Sequence, residues 1–209
     1  MKIGLFLEDV GHHNFITSLI RKVASQIVPG EVIDFDTRNA TGGKPSMEES
    51  FRRYISDSLK SGYGVCDMVI AAQDTDCRGV PETKSALLRN AQDYLGPLVI
   101  AAPNPCIEAW YLADQEAIRN VAQANTTPPI PAGCDCASLK TQLRRLFQEG
   151  GVDSLLNGAE YADDIVGTMD LARARQNVAS LDIFFDDLRT VLVTEFDSMR
   201  YNYSSDETF

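Results

Sequence analysis

The chain has 209 residues, 44% of them hydrophobic, with 30 acidic against 19 basic side chains and a net charge of -11. That length and apolar content suffice for one globular domain, or for a domain with a helical extension. The acidity has the wrong sign for sequence-independent adhesion to phosphate backbones, which needs clustered Lys and Arg; it leaves room for a nuclease whose acids are neutralised by metal or that a partner positions on its substrate.

No apolar run approaches the ~20 residues of a membrane span. The first residues also lack the basic-then-apolar pattern of a secretion signal, so the expectation is a cytoplasmic protein. Five cysteines, Cys66, Cys77, Cys106, Cys134 and Cys136, suggest no disulfide framework, and their odd number fits reduced thiols.

In chain order, Lys2-Ile3-Gly4-Leu5-Phe6-Leu7 reads as a strand covered on both faces, ending at Glu8-Asp9. Gly11 predicts a turn. From about His13, the residues Phe15, Leu19, Val23 and Ile27 recur every four positions, giving an amphipathic helix stopped at Pro29-Gly30. Glu31 to Phe35 reads as a second strand. After a Gly/Pro/Thr/Ser loop, Ser46 is a candidate cap for a helix with Phe51, Tyr54, Ile55 and Leu59 on its buried stripe.

Met68-Val69-Ile70-Ala71-Ala72 is the third strand, and it runs into Asp74, Asp76, Cys77, Arg78 and Gly79. If the extended geometry persists to the strand tip, period-two alternation puts both carboxylates on the same side. Two converging oxyanions repel unless a cation sits between them, and hard oxygen ligands suit Mg²⁺ or Mn²⁺. The alternative is that both aspartates merely open a loop, where Asp is common. Pro81-Glu82 opens a helix with Leu87, Ala91, Tyr94 and Leu95 on one face, and Leu98 to Ala102 is a fourth buried strand.

Strands alternating with helices over residues 2–102 predict an α/β fold with a mostly parallel sheet of about four strands. Ligands gather at the carboxyl ends of such strands. Glu8 and the Asp74/Asp76 pair both lie there. Beyond Pro103-Asn104-Pro105, Glu108 falls at helical spacing beside Ile107, Tyr111 and Leu112, so a carboxylate is set in an apolar face; a buried acid must be paired, bind metal or take a proton.

Residues 125–136 form a Thr/Pro/Gly-rich boundary between a sheet domain, residues 1–124, and a helical extension, residues 125–198. Cys134-Asp135-Cys136 is a weak zinc signal, lacking a second cysteine pair or suitably spaced histidines. The last helix, with Leu181, Phe184, Phe185, Leu188, Val191 and Leu192, has a wide apolar face that must bury against the sheet or a partner, so a homodimer is one possibility. Residues 199–209 read as a flexible acidic tail.

An apolar strand ending in Glu8, a helix, and a later strand ending in Asp74-x-Asp76 resemble the Toprim (topoisomerase-primase) domain. Pro105 to Asp114, PCIEAWYLAD, resembles the PxxEAWLLAD signature of Toprim-like prokaryotic proteins often encoded beside AAA-type ATPases in defence loci and related to overcoming-lysogenisation-defect-type nucleases. The tract from Ala162 through Ser180-Leu181-Asp182-Ile183-Phe184-Phe185 to Leu188 is similar to that family's closing segment.

The resemblance implies a Toprim/Rossmann-like sheet and a Mg²⁺- or Mn²⁺-dependent nuclease acting on DNA or RNA in antiviral defence with an ATPase partner. It implies Glu8, Asp74 and Asp76 as metal ligands, Glu8 also as a candidate base, and Glu108 as completing the acidic cluster. Arg78 would meet a phosphate, with His12 or His13 available for acid/base work near neutral pH. The sequence departs from the family where Gly normally follows the glutamate: here Asp9 follows Glu8, and Gly11 is displaced. An inactive Toprim-like regulatory or interaction subunit of an ATPase complex is the competing reading. No GxxxxGK[ST] or helix-opening GxGxxG is present.

Overall fold

The structure, a computed structural model, describes residues 1–40, 44–61, 66–126, 129–130 and 133–206. Four parallel strands, β1 (Lys2–Leu7), β2 (Asp34–Asn39), β3 (Met68–Ala72) and β4 (Leu98–Ala101), form one sheet in the order β2-β1-β3-β4. Between them run α1 (Val10–Ile27), α2 (Lys44–Ser61) and α3 (Val80–Asn90). The rest is helical: α4 (Ile107–Tyr111), α5 (Gln115–Ala122), α6 (Cys136–Glu149), a 3₁₀ turn at Ala159–Tyr161, α7 (Ala162–Thr168), α8 (Leu171–Asn177) and α9 (Ala179–Asp206). The predicted parallel α/β sheet of four strands with C-terminal helices is therefore what the chain forms.

Period-two alternation divides the core. Ile3, Leu5, Leu7, Met68, Ile70 and Ala72 face α1 and the C-terminal helices, whereas Phe6, Val69 and Ala71 face Phe51, Ile55 and Leu87 of α2 and α3. One apolar cluster runs unbroken from β1 and α1 through Trp110 to Phe184, Leu188 and Leu192 of α9. The wide face of α9 is thus covered within the chain, with the Trp110 and Phe184 rings stacked at 5.2 Å, and it supplies no argument for a dimer. Among the described residues no helix is long and apolar enough to cross a membrane.

Several boundaries differ from the sequence reading. β2 begins at Asp34, not Glu31: Met1 caps its start, with the Asp34 amide donating to the Met1 carbonyl at 3.0 Å, and Val32 stays exposed. α1 begins at Val10 and includes Gly11, because Asp9 is its N-cap and accepts from the His12 amide. α3 ends at Asn90, so Leu95 lies beyond it at 97% exposure. The backbone of α9 continues to Asp206, past Met199, where the tail was expected to begin. The proposed Ser46 cap and the Leu59 contact fall outside the described side chains.

The cysteine expectation is corrected too. Cys77 and Cys134 form a disulfide across 57 residues, with Cα atoms 5.5 Å apart, while Cys66, Cys106 and Cys136 are free. Spacing in sequence carried no sign of it, because the fold alone brings the β3 turn against the segment leading into α6.

Candidate functional site

β1 and β3 are neighbours with Leu7 paired to Ala72, so the residues just past each strand emerge at the same level of the carboxyl edge. Glu8 and Asp74 meet there. The Asp74 amide donates to Glu8 Oε2 at 3.0 Å, and Asp74 Oδ1 accepts from the Ile107 amide at 2.9 Å, at the start of α4. These contacts fix the orientation of both acids before any ligand is considered.

His12 completes the group. It is fully buried in the first turn of α1, with Nδ1 2.8 Å from Asp9 Oδ1 and Nε2 3.0 Å from Asp74 Oδ1. The second contact is close enough for an ion pair, although it lies off the axis of a straight N–H donor. Burial alone would lower the imidazole pKa, but the charge of Asp74 and the contacts to Asp74 and Asp9 outweigh it and raise the value to about 10. Asp9 shifts the other way: burial would raise it, yet the bond to His12 and the imidazolium charge hold it well below the usual carboxylate range.

One ligand atom each from Glu8, His12 and Asp74 lies within 4.8 Å of the other two. The donor set, two carboxylate oxygens and one imidazole nitrogen, fits a divalent transition ion. Asp76 is not part of this group. The strand ends at Ala72, and Asp76 takes a positive φ of 40° on an exposed turn, so the alternation that predicted a shared side has already stopped. Its Oδ1 stands 3.8 Å from Cys136 Sγ.

Glu108 is the second residue of α4, partly buried as predicted, with Oε2 unpartnered and Oε1 3.9 Å from Lys140 Nζ. Burial raises its pKa, opposed by the Cys106 thiol and by Lys140 and reinforced by Asp74. Lys140, brought by α6 of the extension, is drawn up by Glu108, Asp74, Cys106 and Asp9 against the effect of burial. Sequence reasoning missed it: a lone lysine on a solvated helix face carries no signal until α6 is packed against α4.

The other candidates separate. Arg78 is exposed and pairs with Glu48 at 3.3 Å. His13 leaves the acid group and lines a polar cleft of about 430 Å³ with Asn14, Arg21 and Phe35, its Nδ1 3.2 Å from Asn14 Oδ1.

The PCIEAWYLAD stretch is the hub that assembles this edge. Ile107 holds Asp74, Trp110 Nε1 donates to Ser180 Oγ at 2.9 Å, and the Tyr111 hydroxyl donates to the Gly11 carbonyl at 2.9 Å. Asp114, fully buried, caps α5 and forms a two-point pair with Arg173 at 2.8 and 2.9 Å. Ile107, Trp110, Tyr111 and Asp114 therefore tie the turn after β3, α9, α1 and α8 to this one stretch.

The fold and site together define an α/β protein with an acid-histidine centre at the carboxyl edge of a parallel sheet. No family model, curated protein or solved structure matches the chain.

Proposed function

We propose that this chain is a divalent-metal-dependent phosphodiesterase, a nuclease of the Toprim-like kind, with Glu8, His12 and Asp74 as its metal ligands. The observation that carries this reading is the convergence of those three side chains from β1, α1 and β3 within 4.8 Å. The imidazole makes the set softer than the all-oxygen one predicted from the sequence and shifts the preference from Mg²⁺ toward Mn²⁺. When bound, such an ion polarises a phosphodiester and acidifies a water for attack.

The chain's own groups do the remainder. Asp74 is held in register by the Ile107 amide, and Glu8 by the Asp74 amide. Ligation through Nε2 would require His12 to give up its proton from that nitrogen, so metal binding would release a proton. Glu108, its pKa raised by burial, stands beside the group, and Lys140 carries positive charge to the rim. With a net charge of -11, docking of nucleic acid relies on a partner, and the resemblance drawn from the sequence makes that partner an AAA-type ATPase acting in antiviral defence.

One observation favours the inactive scaffold instead. Buried His12 already lies between Asp9 and Asp74, so the acids are bridged from within the chain. The test is a Mn²⁺ and Mg²⁺ titration by calorimetry, with cutting of plasmid DNA, single-stranded DNA and tRNA, alone and with the ATPase. Under the enzyme reading Asp74→Asn lowers Mn²⁺ affinity at least tenfold and cutting at least a hundredfold. Metal-dependent cutting that survives Asp74→Asn sinks the mechanism, and a protein that binds neither ion is the scaffold.

A further inference from the structure

Two consecutive residues beside the site, Asp76 and Cys77, take positive φ values of 40° and 77°, although neither is glycine. Asp visits this region as a single residue, whereas Cys does so only where its surroundings impose it. Here the Asp76 amide donates to the Pro105 carbonyl and the Arg78 amide to that of Thr75, each at 3.0 Å. The Cys77–Cys134 disulfide adds the covalent tie, fastening the turn to the segment that leads into α6.

More sulfur gathers here than the tie requires. Cys136 Sγ stands 3.8 Å from Asp76 Oδ1, and buried Cys106 interacts with both Cys136 and Glu108. Four of the five cysteines thus meet at one rim. Cys77 and Cys134 are exposed residues, open to exchange with an external dithiol.

We infer that the Cys77–Cys134 disulfide is a redox latch: closed, it fixes the turn carrying Asp76 away from the Glu8–His12–Asp74 group, and reduction by a dithiol releases that turn. In the exchange, a thiolate of the dithiol attacks one bonded sulfur and forms a mixed disulfide, and the other cysteine leaves as a thiolate and takes up a proton. The second thiol then displaces the remaining cysteine. Two electrons pass to Cys77 and Cys134, which end as thiols, and the dithiol ends as its own disulfide.

Once released, only the two amide hydrogen bonds, Asp76 to Pro105 and Arg78 to Thr75, hold Asp76 and Cys77 at positive φ, and in the reduced chain they open. The turn relaxes toward extended backbone, in which Asp74 and Asp76 share a side, and reducing conditions add a carboxylate to the centre. That last consequence rests on the metal reading above; the latch does not. An exposed disulfide of this kind is the labile, regulatory sort rather than a structural staple.

The test uses the full chain in oxidised form and after dithiothreitol treatment, with reductant removed under argon. Alkylation under denaturing conditions, read by intact mass, is expected to label three thiols before reduction, Cys66, Cys106 and Cys136, and all five after it. Hydrogen exchange of residues 74–80 and 133–136 should quicken at least tenfold on reduction, and Mn²⁺ affinity should rise about tenfold. Cys134→Ser, and separately Cys77→Ser, should behave as reduced protein in either buffer, whereas Cys66→Ser should follow the wild type. Five labelled thiols in the oxidised protein, or unchanged exchange at residues 74–80, overturns the latch. So does retention of zinc by the reduced chain with loss of labelling. Faster exchange with no Mn²⁺ bound in either state supports the latch and overturns the metal reading.

Discussion

Asp74 carries three contacts at once: its amide reaches Glu8, and its Oδ1 both accepts from Ile107 and faces His12. Its position and that of Glu8 were legible in the sequence, because acids directly after buried parallel strands have only the carboxyl edge to occupy. For His12 the sequence suggests only phosphate or proton contacts, since nothing local reveals that Asp9 caps α1 and turns the imidazole inward. Asp114 lends itself to a pH prediction. Burial would raise its pKa, but Arg173 and the amides of Asp170, Glu116 and Ala117 hold it below the ordinary aspartate value of 3.8. A depressed folded pKa means that the stabilisation is complete above about 3.8 and fades as the pH falls below it. Asp114→Asn should therefore destabilise the fold at pH 6 by about 1–3 kcal/mol for lost charge-assisted bonds, read as a lower urea midpoint, and the gap to wild type should narrow at pH 3. A gap that is constant with pH would assign the loss to packing instead.

Among the elements, α4 spans only Ile107–Tyr111, yet its Ile107 amide holds Asp74 just past β3, and the Trp110 and Tyr111 side chains reach α9 and α1. The α5–α6 contact depends on Gly150, where a Cβ would fall 1.7 Å from the Ala122 carbonyl oxygen. Backbone cannot give way as a side-chain tip can. Gly150→Ala should thus destabilise the fold by about 1–3 kcal/mol, lowering Tm by several degrees and loosening the base of the helix that delivers Lys140. An unchanged Tm in differential scanning calorimetry would show that α6 shifts freely. β2 begins three residues later than its sequence suggests because an edge strand of mixed character, DFDTRN, shows little apolar periodicity, and its register is set by pairing with β1.

At the scale of the whole molecule, a ligand that binds only the folded chain stabilises it by mass action, about 2.7 kcal/mol at a hundredfold excess over Kd. If Glu8, His12 and Asp74 hold an ion, saturating Mn²⁺ should raise Tm by roughly 5–10 °C for a chain of this size, EDTA should reverse the rise, and Glu8→Gln should abolish it. A rise that persists in Glu8→Gln would place the ion elsewhere. By itself the sequence determined the alternation of strand and helix, the parallel sheet and the two acids at its edge, because periodicity and strand-end position are local properties that survive any packing. Only the tertiary structure decided that His12 rather than Asp76 joins those acids, that Lys140 and Glu108 face one another, and that Cys77 meets Cys134. Each of these depends on contacts between segments far apart in the chain, where a helix cap, a left-handed turn or the docking of α6 sets a direction that no spacing encodes.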